Sequence, residues 1–245
     1  MNRFPLSIRP FGAYAILIEW PEKVDTSILE DILQFSHRLR TEHLKGKQWE
    51  LVPAYNSLTL VHYGGDLIFG EFKQKLEGWY SEKSSTVMAD RFLWRLPVCY
   101  ENEFGPDLGE VSEKLQKSVP EIISLHTENV YTVYGIGFLP GFMYLGGLPQ
   151  VLEVPRKSTP RLTVAKGSVG LAGKQTGIYP QDSPGGWNII GNCPVPMFNA
   201  NSENPCFVNV GDQIQFYAIN HSEYELMTIQ GEVGIYQLQK TKLHA

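Results

Sequence analysis

Cysteine, positive charge and long apolar runs are all scarce in this sequence of 245 residues. Its three cysteines, Cys99, Cys193 and Cys206, form no C-x-x-C pair, so the sequence predicts neither a disulfide framework nor a zinc site. The formal net charge is −5 at pH 7, which argues against a nucleic-acid partner, because nucleic-acid-binding domains present a basic surface. We expect an acidic protein whose cysteines are reduced and mostly packed.

Membrane and nucleotide-loop signals are also missing. No stretch approaches the roughly 18 apolar residues that a membrane span needs, and the first residues lack the apolar region of a secretion signal. The Gly-x4-Gly-Lys-Ser/Thr loop of many ATPases does not occur, and no spacing selects a nucleophile with its base. We therefore expect a cytoplasmic chain with no membrane partner.

Length and composition indicate two domains of the α+β class. The chain exceeds the usual domain size of roughly 100–200 residues, and 42% of its residues are apolar, enough for two cores. We place an N-terminal α+β domain, a small α/β sandwich with an antiparallel sheet, at 1–90. A second, strand-rich domain follows at 91–245, and the hydrophilic tract 81–86 is the expected linker.

The first domain shows alternating and helical apolar patterns. Strands are expected at 15–20, 49–55 and 57–63, and helices at 25–39 and 67–79. A strand at 91–98, just past the boundary at residue 90, is expected to close the unit. The order is close to βαββαβ, which predicts an antiparallel sheet with helices on one face.

The second domain begins with two short helices, 108–115 and 119–126, the latter capped by Ser118. Helix is scarce afterwards. Short strands are expected at 130–134, 162–164, 169–172, 188–190, 213–218 and 234–239. Turn residues separate them, a pattern that is typical of a sandwich or a barrel.

Glycine and proline recur every few positions between residues 135 and 194, with polar side chains between them. Glycine tolerates positive φ and proline fixes φ, so we expect a surface shaped by loops between short strands. Candidate substrate-binding residues on this surface are Arg156, Arg161, Lys174, Gln175, Thr176, Tyr179, Ser183, Gly185, Gly186 and Trp187.

Each of these candidates has a structural alternative. Lys174, Gln175 and Thr176 can converge on an anion with turn N–H groups, or they can be the solvated tip of a hairpin. Arg156 and Arg161 can grip a carboxylate or phosphate, or they can pair with nearby acids.

Trp187 is either an apolar wall of a pocket or a core residue between strands. The glycines around it and around Lys174 let both turns fold back closely. We therefore expect Lys174 and Trp187 to line one pocket.

His126 and Lys174 are the candidate catalytic residues. His126 lies at the end of a predicted helix and precedes a strand, which suits a general base. A histidine at a helix end also caps or packs in many proteins. No metal site is predicted.

Long motifs carry a family resemblance. They read GFLPGFMYLGGLP at 137–149, PRKSTPR at 155–161, GSVGLAGKQTGIYP at 167–180 and SPGGWNIIG at 183–191, with RPFG at 9–12, VPAYNSL at 52–58, EFGPD at 103–107 and VNVGD at 208–212. Together they resemble the KipI / allophanate hydrolase subunit 1 family over nearly the whole chain. The resemblance implies a C-terminal cyclophilin-like β-barrel, a topology that spacing alone does not give.

The same resemblance implies a function. The family includes the B subunit of the bacterial ATP-dependent 5-oxoprolinase, a hydrolase complex that opens 5-oxo-L-proline to L-glutamate. The implied partners are the C subunit, which is KipA-like and similar to allophanate hydrolase subunit 2, and the LamB/YcsF-like subunit of the complex. ATP with Mg is implied for the complex, and the chain alone is expected to be inactive.

Two alternatives to this function stay open. One is a KipI-like inhibitor of a sensor histidine kinase, and the other is a carboxyltransferase-like module related to urea carboxylase. The sequence leaves open which substrate is used and whether this chain binds ATP.

Three positions depart from the family pattern. Asn192 stands where relatives usually have arginine, and Lys166 introduces a lysine in the VAKGS segment 164–168. Ala13 replaces an aspartate. If a pocket needs one positive charge where the family arginine is missing at Asn192, Lys166 supplies it. If Lys166 does not replace that charge, the substrate differs.

Overall fold

The computed structural model describes residues 4–46, 48–65, 67–82 and 90–243. The chain divides into two compact units, Met1–Asp90 and Arg91–Ala245. Positions 83–86 of the expected linker lie outside the described residues. Within the described ranges, no helix combines the length and the apolar character needed to cross a membrane.

The first unit is a four-stranded antiparallel sheet covered by helices. Its strands are β1 (Ser7–Pro10), β2 (Ala15–Glu19), β3 (Trp49–Ala54) and β4 (Ser57–His62), in the spatial order β1-β2-β4-β3. Helix α1 (Thr26–Arg38), which continues into a π-helical turn at Leu39–His43, contacts β3 and β4, and α2 (Phe69–Ser81) contacts β1. Asp25 caps α1 by accepting a hydrogen bond from the Ser27 N–H.

Strand alternation builds the core of this unit. Ile16 lies opposite Leu60, and Ile18 lies opposite Leu58. All four side chains are buried against α1 and α2, in one cluster with Phe35 and Leu76. The expected order βαββαβ was wrong in two respects: residues 7–19 form a hairpin, and residues 92–99 belong to the second unit.

The second unit contains ten strands and three helices within the described residues. The strands are β5 (Phe92–Cys99), β6 (Val130–Ile136), β7 (Met143–Gly146), β8 (Arg161–Val164), β9 (Ser168–Ala172), β10 (Gln175–Ile178), β11 (Ser183–Gly185), β12 (Asn188–Asn192), β13 (Gln213–Ile219) and β14 (Gln239–Lys242). The helices are α3 (Leu108–Leu115), α4 (Val119–Glu128) and α5 (His221–Glu232), and a 3-10 turn spans Gln150–Leu152.

Seven of these strands close into a barrel. Their order is β12-β9-β10-β7-β6-β13-β5, and β12 pairs back with β5 through Asn192 and Cys99. Strand β13 runs parallel to β5 over seven residue pairs, while the other pairings of the barrel are antiparallel. The expected α+β class, with an antiparallel-sheet unit and a β-barrel, is confirmed.

The barrel interior is apolar and contains Cys193. Leu96, Leu171 and Phe216 belong to one large cluster with Cys193. All three cysteines are free thiols, as expected. Burial raises the pKa of Cys193 to about 12, so this thiol stays protonated at neutral pH.

Some elements differ from the expectation. Helix α5 was not predicted, because it buries no residue and lacks an amphipathic pattern. A capping box between Asn220 and Glu223 starts it. Strands β7, β10 and β11 are short and interrupted by glycine or proline, and the last strand begins at Gln239 rather than at 234.

Candidate functional site

The carboxylate of Asp107 organises the loops at one end of the barrel. Arg161 donates two hydrogen bonds to it, at 2.8 and 2.7 Å, and the Lys157 ammonium lies 2.8 Å away. The Ile189 N–H on β12 donates a third hydrogen bond at 2.7 Å. Asp107 therefore ties the start of α3 to β8 and to β12.

The Asp107 side chain is almost completely buried. Burial by itself raises the pKa of this carboxyl group, but the hydrogen bonds from Arg161, Lys157 and Ile189 outweigh it and hold the pKa below the usual value. Asp107 is therefore a carboxylate at neutral pH, and the guanidinium of Arg161 is neutralised by it.

Next to this network, Trp187 forms the floor of a pocket. Gly170 and Gly177 lie opposite each other on β9 and β10. A Cβ added at Gly170 would lie 3.1 Å from the Trp187 Cβ, and one added at Gly177 would lie 3.2 Å from its indole ring. The glycines thus leave room for the indole, which is only 5% exposed.

Aromatic rings form the walls. The Phe142 ring lies 5.6 Å from the rings of both Trp187 and Tyr179, edge to face, and 4.9 Å from that of Tyr144. The open cavity between them measures about 310 Å³, a volume that suits a small molecule. We call it the aromatic pocket. Its lining consists of Phe138, Phe142, Tyr144, Arg156, Pro160, Tyr179, Pro184, Gly185, Gly186 and Trp187.

Phe138 stands at the mouth of the aromatic pocket in an unusual conformation. Its φ is +70°, in the left-handed region, which is strained for a bulky residue. Its side chain is 71% exposed and touches Phe142 edge to face at 6.0 Å. The loop therefore holds an exposed aromatic ring over the opening.

Arg156 is the cation of the aromatic pocket. Its guanidinium carbon lies 6.0 Å from the centre of the Trp187 ring, within the range of a cation–π interaction. Across residues 4–46, 48–65, 67–82 and 90–243, no carboxylate pairs with Arg156. Arg156 also lines an adjoining cleft with Lys157 and Glu110. Since it lines the aromatic pocket as well, its guanidinium can offer hydrogen bonds to a ligand there.

The fold brings together half of the ten candidate substrate-binding residues. Arg156, Tyr179, Gly185, Gly186 and Trp187 line the aromatic pocket. Arg161 is paired with Asp107 instead. This agrees with the alternative in which the arginine pairs with a nearby acid.

The other candidates lie elsewhere. Lys174 is exposed at the turn between β9 and β10 and is not part of the described lining of the aromatic pocket. Gln175, on β10, is partly buried, and Ser183, on β11, is buried. We expected Lys174 and Trp187 to line one pocket, but the described lining of the aromatic pocket contains Trp187 and not Lys174.

His126 and Thr176 form a buried pair. The His126 ring is fully buried, hydrogen-bonds with Tyr100 at 2.7 Å and with Thr176 at 2.9 Å, and stacks on Phe216 at 4.6 Å. Burial lowers the pKa of His126 to about 3. The imidazole is therefore neutral and packed, and it does not line the aromatic pocket.

Two groups of described residues have the composition of a metal site. Glu42, His43 and Glu82 form one, and Glu101, Glu103 and His221 form the other. All six side chains are exposed or partly exposed, and His43 and His221 are each close to a glutamate of their own group, at 3.2 and 2.8 Å. Neither group contributes to the aromatic pocket.

Sequence reasoning gave no role to Asp107 or to the aromatic residues of the 137–149 motif. Asp107 ends the EFGPD motif, and an acid beside a proline turn can pair with a nearby arginine. Phe138, Phe142 and Tyr144 are spaced at intervals of four and two among glycines. That concentration of aromatic rings in a loop was the available signal.

Comparison with known sequences shows extensive similarity. The sequence model of the family described as carboxyltransferase domain, subdomain C and D, matches residues 6–208. The chain is 34% identical over 227 residues to the 5-oxoprolinase B subunit of Bacillus subtilis (strain 168), covering 89% of this chain and 94% of that protein. Identity to the 5-oxoprolinase B subunit of Haemophilus influenzae is 37% over 214 residues, covering 86% and 97%.

Solved structures are similar as well. TTHA0988 has a TM-score of 0.71 and 32% identity over 84% of this chain, which spans 39% of that longer chain. The urea amidolyase of K. lactis has a TM-score of 0.77 over 97% of this chain, at 16% identity and 16% coverage of its own length. The second likeness shows a shared fold.

Proposed function

This chain belongs to the family of the carboxyltransferase domain, subdomain C and D, and from that premise we propose that it is the B subunit of an ATP-dependent 5-oxoprolinase. Similarity to proteins that carry this name supports its membership in such a hydrolase complex. In this proposal a KipA-like subunit and a LamB/YcsF-like subunit complete the enzyme. The substrate, 5-oxo-L-proline, binds in the aromatic pocket.

The observation that carries the proposal is Arg156, which lies over the Trp187 ring and has no carboxylate partner among the described residues. The substrate is a small five-membered lactam with one carboxylate. A guanidinium can hold that carboxylate through two parallel hydrogen bonds, while the rings of Phe142 and Trp187 pack against the apolar edge of the lactam. The single cation of the pocket matches the single carboxylate of the substrate, and the aromatic walls match its small ring.

Tyr179 is suited to the lactam carbonyl. Burial raises the pKa of its hydroxyl, so it is protonated at neutral pH and can donate a hydrogen bond. An O–H donor directed at a carbonyl oxygen stabilises the negative charge that develops there when the amide is attacked. In this role Tyr179 orients and polarises the substrate.

The aromatic pocket does not fit ATP. It offers one unpaired guanidinium among the described residues, whereas a triphosphate requires several donors and a cradle of backbone N–H groups. We therefore assign nucleotide handling to another component of the complex. The residues of this chain bind the substrate, orient it and exclude water from it.

The test is 5-oxoproline turnover by the complex reconstituted from all three components. Arg156→Ala should lower kcat/KM by about 30-fold or more, because the substrate carboxylate loses a charge-assisted contact worth about 2 kcal/mol or more. Arg95→Ala is the matched control, since Arg95 is also exposed and lies 5.4 Å from an aromatic ring centre. It should keep the activity of the unmodified complex.

A Lys174→Ala arm compares the two cations directly. The geometry favours Arg156, so Lys174→Ala should change kcat/KM much less. Wild-type kcat/KM in the Arg156→Ala complex would remove the aromatic pocket from the proposal. A large loss of kcat/KM in Lys174→Ala but not in Arg156→Ala would place the substrate site at the β9–β10 turn instead.

A carboxyltransferase-like role is the second candidate. The family description and the 31% identity to the urea amidolyase of Saccharomyces cerevisiae over 60% of this chain favour it. Carboxyl transfer from carboxybiotin by the complex, without release of glutamate from 5-oxoproline, would support this candidate against the first. Inhibition of a sensor histidine kinase by this chain alone would support the KipI-like alternative.

A further inference from the structure

Residues of strand β8 line a second cavity of about 390 Å³. Its lining combines residues of β8, β9 and β12 with Phe104 and with Tyr224 of α5, and it shares no residue with the described lining of the aromatic pocket. We call it the polar cavity. Its polar side chains are Glu103, Arg161, Thr163, Lys166, Ser168, Asn192 and Tyr224.

The backbone of Lys166 is held in a tight turn at the edge of the polar cavity. The Ser168 N–H donates to the Ala165 carbonyl at 3.1 Å, and Gly167 has a φ of +80°, as a type II turn requires. The Asp182 carboxylate accepts the Lys166 N–H at 2.7 Å, and the Asn192 amide donates to the Lys166 carbonyl at 3.0 Å. The base of the lysine is therefore fixed.

The Lys166 ammonium has no protein partner within the part of the chain that the structure describes. Arg161, the other cation of the polar cavity, is paired with Asp107. Glu103, its acid, is close to His221 at 2.8 Å. Lys166 is therefore the charge that remains available to a ligand.

Ser168 supplies a second unused group. The residue is 5% exposed, and across residues 90–243 and the other described ranges its hydroxyl meets no hydrogen-bond partner. Its oxygen is not among the fully buried polar atoms that lack a partner, so the hydroxyl is accessible to a ligand. Ser168 lines the polar cavity, so a ligand there can accept its hydrogen bond.

We propose that the polar cavity is a second binding site, for a small carboxylate or phosphate anion held by the Lys166 ammonium and the Ser168 hydroxyl. The side-chain amide of Asn192 positions Lys166, and its oxygen accepts a hydrogen bond from Tyr224 at 3.0 Å. This site is separate from the substrate site proposed above and does not depend on that assignment.

The experiment is an NMR titration of the isotope-labelled chain with inorganic phosphate and, separately, with acetate, at constant ionic strength and neutral pH. Saturable shifts are expected at the amides of residues 165–168 and at the side-chain amide of Asn192. Saturation by phosphate alone, by acetate alone or by both supports the site and identifies the preferred anion. Absence of saturable shifts with both anions overturns it.

Variants test the two groups that carry the proposal. Lys166→Ala should weaken anion affinity about tenfold or more, and Lys166→Arg should retain most of it. Ser168→Ala should weaken affinity several-fold without lowering the melting temperature, because the hydroxyl has no described protein partner to lose. Lys75→Ala, at an exposed lysine of α2 in the other unit, is the control and should bind as the unmodified chain does.

Unchanged affinity in both Lys166→Ala and Ser168→Ala would overturn the proposal, because the anion would then bind elsewhere. A lower melting temperature in Ser168→Ala, with unchanged affinity, would give Ser168 a structural role instead.

Discussion

At the scale of the residue, similar side chains only five positions apart have different electrostatic partners. Arg161 donates two hydrogen bonds to the buried Asp107, while Arg156 lies over Trp187 without a carboxylate partner among the described residues. His126 shows the same dependence on surroundings, because the barrel core keeps its ring neutral. Residue type alone does not separate a binding group from a structural one.

His126 should make the stability of the barrel depend on pH. Its pKa in the folded chain is about 3, against an ordinary value of 6.5. The unfolded state therefore binds one more proton between these values. The contribution of the neutral His126 to the free energy of unfolding is fully present above about pH 6.5. Below that pH it falls by about 1.4 kcal/mol per pH unit. Tyr100 and Tyr131 face the ring, and burial raises the pKa of both, so they stay neutral in this range.

Urea unfolding of the barrel at several pH values between neutral and pH 5 measures this dependence. His126→Gln should reduce the slope of unfolding free energy against pH. His37→Gln, on α1 of the other unit, is the control. It should leave the pH dependence of the unfolding free energy of the barrel unchanged. Identical slopes in the unmodified chain and His126→Gln would contradict the buried neutral assignment.

At the scale of the element, the two-stranded ribbon of β8 and β11 contributes to both cavities, because β11 lines the aromatic pocket and β8 lines the polar cavity. The ribbon pairs Ser183 with Val164 and Gly185 with Arg161, with a shift of register between them. Asp107 holds one strand of the ribbon through Arg161. The shape of the aromatic pocket therefore depends on how closely the ribbon approaches the barrel.

Gly185→Ala should disturb this approach. A Cβ at position 185 would lie 2.3 Å from the Tyr179 hydroxyl oxygen and 2.9 Å from its ring, and Tyr179 cannot turn away because it packs against Phe142 and Trp187. Overpacking of this kind costs about 1–3 kcal/mol. We expect a lower melting temperature and weaker binding of 5-oxoproline to the complex.

The neighbouring glycine provides the control. A Cβ at Gly186 would meet no atom closer than 3.6 Å, so Gly186→Ala should be nearly neutral for stability. Adding Tyr179→Phe to Gly185→Ala removes the clashing hydroxyl and should recover part of the lost stability. Equal melting temperatures for Gly185→Ala and Gly186→Ala would show that the ribbon can move away from Tyr179 without loss of stability.

At the scale of the whole molecule, the proposed role requires partner proteins. Stable interfaces bury at least about 1,000 Å² in total, and exposed apolar side chains are frequent at such surfaces. Leu162, on the outer side of the β8–β11 ribbon, is 91% exposed. We expect the KipA-like partner to dock beside these motif loops.

Leu162→Asp should therefore weaken the complex with the KipA-like partner. A buried aspartate without a partner opposes association strongly, so the affinity should fall at least about tenfold. Leu226→Asp, at an exposed leucine of α5, is the matched control. Size-exclusion chromatography of the co-expressed pair measures the outcome, and co-elution of Leu162→Asp at wild-type yield would place the interface elsewhere.

Local elements and the family could be predicted from the residues alone. Helical spacing predicted α1 and α4, and the cap at Ser118 predicted where α4 begins, because these signals act between residues a few positions apart. The motifs between 137 and 191 indicated the family, and the glycines among them indicated a shaped surface. Five residues of the aromatic pocket were named on that basis.

The way in which these parts meet could not be predicted and is seen in the folded chain. The parallel pairing of β5 with β13 and the closure of β12 onto β5 join segments far apart in the chain, and no local pattern records such pairs. The same closure buries His126 with Thr176, brings Asp107 to Arg161 and leaves Arg156 and Lys166 without described carboxylate partners. Burial and pairing set the charge and availability of each group, and both depend on neighbours that only the folded chain supplies.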